Sequence, residues 1–216
     1  MKVFQIGAAG GVGHRLVRRL AAHGDSSTGM HRAPEQAQTI SDAGGSPVAG
    51  DLIADSVDEL AEKMRGHDAV VFSAGAHGTG HELTTLIDGK GLEKAADAAA
   101  QAGVQRFVLV SAFPESERSA GLGEGFEHYM RVKKSADVYL ARTSLDWVIV
   151  RPGLLSNETG DELVTAGLAI EYGSVRRDNV AAFIHAVLHA PAVNRIIVEL
   201  TDGSTPIPEA IAGLSR

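Results

Sequence analysis

The strongest constraint on the fold lies in the first twenty residues. An apolar run, Val3-Phe4-Gln5-Ile6, passes at once into Gly7-Ala8-Ala9-Gly10-Gly11-Val12-Gly13, and that turn opens an amphipathic stretch carrying Val12, Leu16, Val17 and Leu20. Strand, glycine turn and helix in this order form a βα corner whose free amide hydrogens, at the positive end of the helix, suit a diphosphate. The G-x-x-G-x-x-G register assigns each glycine a task. Gly7 makes the tight turn, Gly10 lets the backbone approach the ligand, and Gly13 lets helix and strand pack closely. Gly7, Ala9, Gly10, Gly11, Val12 and Gly13 are therefore expected to cradle a dinucleotide.

The rest of the chain repeats this alternation. Short apolar runs recur at Ala69–Phe72, Arg106–Val110, Trp147–Val150 and Arg195–Leu200. Stretches of helical period separate them, at Val12–Ala22, Leu83–Ala102, Tyr129–Ala141 and Val180–Leu188. Gly24 and Gly103 each stand directly after a helical run, as left-handed caps do. Ser26–His31 is polar for a strand, but the topology requires one there. Crossovers of this kind imply a doubly wound α/β Rossmann-type domain over residues 1–216, with a mostly parallel sheet of six or seven strands. The expected order is 3-2-1-4-5-6 with a seventh strand at the edge, and a small substrate-side lobe is expected at 154–176. Only about 60 residues follow the sixth strand, which leaves little room for a nucleotide-sugar pocket.

The second strand ends in His31-Arg32, where an NAD-selective site would carry a carboxylate. A guanidinium there pairs with a 2′-phosphate, so NADP(H) is expected over NAD(H). Asp51, within Gly50-Asp51-Leu52, either faces the adenine amine or caps the next turn. Ser111 ends the fifth strand. Tyr129 and Lys133, at i and i+4, share one helix face. An ammonium beside a phenol favours the phenolate and makes the phenol usable as a general acid.

The glycine turn, Asp51-Leu52, Ser111, the segment His128–Lys133 and Ile149-Val150-Arg151-Pro152-Gly153 together resemble the short-chain dehydrogenase/reductase superfamily. More narrowly they resemble its atypical branch of small NAD(P)H-binding oxidoreductases. The similarity runs on through Arg177–Ala181 to Asp202–Ile207. It implies that Ser111 hydrogen-bonds a substrate carbonyl, Tyr129 donates its proton, and Lys133 holds the nicotinamide ribose. Asp88 stands where fully catalytic members keep an asparagine, and its carboxylate is expected to pair with Lys133 in place of a water-mediated relay. Ser73-Ala74-Gly75-Ala76 are expected to line the cofactor, and Pro152-Gly153-Leu154-Leu155 to close over the nicotinamide. Arg151 either contacts ligand or buttresses the crevice.

Three readings of function follow. They are NADPH-dependent reduction of a small carbonyl or similar electrophile, a flavin or quinone reductase, and a non-enzymatic redox sensor. A formal charge of −7 argues against nucleic-acid partners, and no apolar stretch approaches a bilayer span. The absence of cysteine and of a leader-like start suits the cytosol. No exposed apolar helix face names a dimer surface. His77, His81 and Glu82 invite a zinc reading, but Gly78-Thr79-Gly80 breaks the helix it would need, so no metal is expected there. The Arg176-Arg177 pair either meets an anionic substrate or, as expected, stays on the surface while Asp178 caps the helix after it.

Overall fold

The computed structural model describes residues 1–76, 78–117 and 121–215. The chain opens with β1 (Lys2–Ile6), α1 (Gly13–Ala22), β2 (Ser26–His31), α2 (Pro34–Asp42), β3 (Ser46–Ala49), α3 (Val57–Met64) and β4 (Ala69–Phe72). A helical stretch follows in three parts: α4 (His81–Thr84), a π-helical segment (Thr85–Gly91) and α5 (Leu92–Ala102). Next come β5 (Arg106–Val110), α6 (Glu124–Ala141), β6 (Asp146–Pro152), β7 (Leu154–Ser156), β8 (Leu163–Gly167) and β9 (Ser174–Arg176). The chain ends with α7 (Arg177–Leu188), β10 (Ile196–Asp202), β11 (Thr205–Pro206) and α8 (Ile207–Leu214).

The main sheet has nine strands in the order β11-β8-β10-β6-β5-β4-β1-β2-β3. From β3 through β6 to β10 every pairing is parallel, which is the expected 3-2-1-4-5-6 with one more strand beyond. The strand count departs from six or seven because β8 and β11 extend the edge in antiparallel sense. Their source is the segment expected as a substrate lobe. It splits instead, with β8 joining the sheet and β7 pairing with β9 in a two-stranded ribbon.

Alternation along the strands sends residues to two cores. Val3, Val71, Val108 and Val148 face α1 and α7, meeting Leu16, Leu20, Phe183 and Ile184. Phe4, Val70, Phe107 and Ile149 face α3, α5 and α6, meeting Leu60, Leu92 and Leu140. Helices on both faces are what a parallel sheet requires. The polar β2 holds its place by specific contacts. Buried Gln5 donates to Ser27 at 2.7 Å, and a side chain at Gly29 would come within 2.7 Å of Ala8 Cβ and 2.9 Å of Ile40. A branched aliphatic at Gly29 is excluded by packing. Gly24 and Gly103 both take positive φ, as expected of helix ends.

Candidate active site

The crevice lies at the carboxyl edge of the sheet, where β1 and β4 end side by side. Gly7 has φ +89°, and a Cβ there would stand 2.5 Å from the Ala74 amide nitrogen. The turn after β1 therefore lies against the loop after β4. At Gly13 a Cβ would meet the Gly7 carbonyl oxygen at 2.1 Å and Ala8 Cα at 2.8 Å, so this glycine serves packing, away from the cavity wall. Gly10 donates its amide to Gly7 O at 3.0 Å. Its free face lines the cavities on both sides of the turn.

Two cavities adjoin across Gly10, Ser73, Ala74 and Gly75. The smaller, about 310 Å³, is walled by Gly7, Ala9, Met30, Arg32, Asp51 and Leu52, with Ala76 and Gln36 at its margins. The exposed Arg32 uses its backbone amide on Gln36 Oε1 at 2.9 Å, and its guanidinium has no partner among the described residues. Asp51 caps its own turn, accepting from the Ile53 amide at 2.7 Å, while its residue also forms part of the wall.

The larger cavity, about 740 Å³, gathers Ser111, Tyr129, Lys133 and Asp88 with Gly11, Val12 and Leu155. Helix α6 begins five residues before Tyr129, so its first turn, with Gly125 and Phe126, adds to the wall. Tyr129 therefore shares one cavity with Ser111 despite the long connection between them. Lys133 is 4% exposed and donates to Val110 O at 3.1 Å. Its ammonium stands 3.5 Å from Asp88 Oδ1 and 5.9 Å from the Tyr129 ring centre. The other Asp88 oxygen accepts from the Ala76 amide at 2.9 Å. Asp88 lies on the π-helical segment where the sequence reads as one continuous helix, and such wide turns often mark functional sites.

Below Ser111 lies a buried carboxylate, Asp137, one turn beyond Lys133 on α6. Arg151 donates through Nε to its Oδ2 at 2.9 Å, and Nη2 stands 2.9 Å from the same oxygen in an ion pair. Burial pushes the Asp137 carboxyl up, while Ser111, Arg151 and Lys133 pull it back. Ser111 acts on that carboxyl as a hydrogen-bonding neighbour, although among the described residues neither its hydroxyl nor Asp137 Oδ1 meets a partner within strict hydrogen-bond geometry. That buried hydroxyl belongs to a residue lining the cavity. Arg151 faces Asp137 and Glu199 and does not line the cavity, which makes it a buttress.

Of Pro152, Gly153, Leu154 and Leu155, only Leu155 reaches the cavity wall. A side chain at Gly153 would strike Gly173 O at 2.0 Å, and Leu154 is 62% exposed. Arg177 stands apart from the surface position expected of it. A Cβ on Gly11 would lie 2.7 Å from Arg177 Nε, so the guanidinium arm covers the glycine turn. It donates to Leu155 O at 3.2 Å and Asn157 Oδ1 at 3.0 Å. Asp178 is not a cap: it is the second residue of α7 and accepts from Arg15 Nε at 2.7 Å and the Gly160 amide at 3.1 Å. Arg176 pairs with Asp161 and faces Asp202 and Glu158. His128 stacks on His81 and meets Thr85 Oγ1 at 2.9 Å, outside the larger cavity's wall. His77 lies outside the described residues.

A family model described as NAD(P)H-binding matches residues 7–191, from the first glycine of the turn to beyond α7. The chain belongs to this NAD(P)H-binding family. Its architecture is the Rossmann-type α/β fold. Among its relatives, an uncharacterized sugar epimerase of Bacillus subtilis is 39% identical over 99% of this chain and 100% of its own. The oxidoreductase ylbE of Lactococcus lactis superposes with a TM-score of 0.87 at 28% identity, covering 99% of this chain and 96% of that one. ChuY, an anaerobilin reductase of Escherichia coli O157:H7, gives a TM-score of 0.78 at 25% identity over 94% and 97%. No helix among the described residues is long and apolar enough to cross a membrane.

Proposed function

We propose that this chain reduces a small carbonyl compound, or a comparably electrophilic group, with NADPH. One observation carries the reading: Ser111, Tyr129 and Lys133 converge on a single cavity that adjoins the glycine turn. The site fits the cofactor by its chemistry. Gly7 and Gly10 leave bare backbone where a diphosphate would approach, Arg32 offers an unpaired guanidinium to a 2′-phosphate, and Arg177 overhangs the turn. NADPH held there would supply a hydride for the carbonyl carbon.

The protein's own groups handle the oxygen. The buried Ser111 hydroxyl, which lines the cavity beside Asp137, donates to the carbonyl oxygen and orients it. Tyr129 gives that oxygen its proton, so the products are an alcohol and the oxidised cofactor. Lys133 spends one donor on Val110 O and turns its charge toward Asp88, and a third donor remains for the nicotinamide ribose. The segment after β6 is taken up by β7, β8 and β9, which supports a small substrate over a nucleotide sugar. The cytosol is the compartment this reading expects.

The Lys133–Asp88 contact favours a second reading. A lysine whose charge is shared with a carboxylate acts less on the phenol, as in a flavin or quinone reductase where hydride passes directly to a stacked ring and Tyr129 is dispensable. Tyr129→Phe separates the two. Carbonyl reduction should fall about 100-fold or more, the loss typical of a missing general acid, while flavin reduction should hardly change. Undiminished carbonyl turnover in this variant would remove Tyr129 from the chemistry.

A further inference from the structure

At the opposite edge of the sheet, where the parallel strands begin, three side chains from distant parts of the chain converge. Asp25 sits in the turn between α1 and β2, His185 on the last turn of α7, and His189 at that helix's C-cap. His189 Nε2 stands 2.7 Å from Asp25 Oδ2, and His185 Nε2 stands 3.3 Å from the same oxygen. The two imidazoles are i, i+4 neighbours on one helix face, with ring centres 4.9 Å apart. Their ligand atoms and the carboxylate oxygen all lie within 4.8 Å of one another.

We propose that Asp25, His185 and His189 form a binding site for one first-row divalent transition ion of the zinc type. Two neutral imidazoles and a carboxylate are the donor set such ions take, with the fourth position left to water. Ligands at about 2.1 Å from a tetrahedral ion stand about 3.4 Å from each other. The His185–Asp25 separation already matches that spacing. The His189–Asp25 contact must open by about 0.7 Å, and His189, with 48% of its side chain exposed, has room to move.

The surroundings hold two of the three ligands in place. Asp25 and His185 side chains are only 6% and 13% exposed. The other Asp25 oxygen is engaged by the Met1 ammonium, leaving Oδ2 for the ion. His23 packs its ring 4.6 Å from that of His185 and is itself fixed through Nδ1 on Arg19 O at 2.8 Å. An ion here would tie the C-terminal end of α7 to the α1–β2 connection. The helix it anchors carries Arg177 at its other end.

The test uses the full chain, free of any affinity tag, titrated with cobalt(II) and then zinc chloride. One equivalent of cobalt should produce visible d–d absorption that zinc displaces. Zinc at about a hundredfold over its Kd should raise Tm by roughly 5–10 °C. His189→Ala, a change at a half-exposed position, should weaken zinc at least tenfold, whereas His128→Ala, which dismantles the distant stacked His81–His128 pair, should leave affinity unchanged. Absence of saturable one-to-one binding, or equal affinity in the His189→Ala protein, overturns the proposal.

Discussion

Substituting alanine at two glycines of the same turn should have opposite consequences. At Gly13 the added Cβ would fall 2.1 Å from Gly7 O and 2.8 Å from Ala8 Cα, both backbone atoms that cannot turn aside. Overpacking of this kind costs about 1–3 kcal/mol, and the gain of roughly 1 kcal/mol in helix propensity offsets only part of it. In a chain of this size the net loss should lower Tm by up to roughly 8 °C. At Gly10 the nearest atom to a new Cβ is Gly7 O at 3.1 Å, which needs a shift of only tenths of an ångström. The apo protein should therefore keep its Tm within about 2 °C.

Gly10, however, lines both cavities, so its methyl would project where the diphosphate is proposed to cross. A misfit of about 1–3 kcal/mol there corresponds to a Kd for NADPH roughly 5- to 150-fold weaker. Thermal unfolding without cofactor and calorimetric titration with NADPH read the two effects separately. A Gly10→Ala protein that keeps its Tm and binds NADPH within twofold of the parent would refute the crossing at Gly10.

Arg32→Ala should weaken NADPH by about 10- to 100-fold, the worth of charge-assisted hydrogen bonds to a phosphate, and leave NADH nearly unchanged; equal losses for both would show that Arg32 does not read the 2′-phosphate. Arg177→Ala should weaken both coenzymes by about tenfold with little change in Tm, because the side chain's partners, Leu155 O and Asn157, lie at the rim; unchanged affinity would count against contact with the diphosphate. The hydrogen bond from Tyr139 to Asp97 Oδ1, 2.7 Å long, together with burial and the charges of Asp97 and Glu93, pushes this phenol from 10.0 up to about 12. A raised folded-state pKa means the contribution is complete below pH 10 and lost as pH climbs toward 12. Tyr139→Phe should flatten the alkaline decline in urea midpoint over that window, and an identical decline in the variant would refute the assignment.

Much of the fold was legible because its signals are short-range. A strand passing into a glycine turn and a helix is written in adjacent residues, and the alternation of apolar runs with helical periods requires right-handed crossovers and so a parallel sheet. Tyr129 and Lys133 were readable as partners for the same reason, since one helical turn places them together. The edge strands were not legible: Leu163–Gly167 buries only Val164 fully, too little apolar pattern to announce a strand. The π-helical segment hid within an unbroken helical period, since its wider turn is visible only once Asp88 faces Lys133.

What the chain's order of residues determined, then, was the doubly wound frame, the glycine corner and the identity of the groups at its mouth. The folded structure alone decided which distant groups meet. It brought Arg177 over Gly11, set Asp137 behind Ser111, and drew His185 and His189 to Asp25. Each of the first and last of these encounters spans well over a hundred residues, and no local propensity encodes it. They exist because α1 and α7 bury their apolar faces against the same side of one sheet, and that shared burial fixes where the polar ends of both helices come to rest.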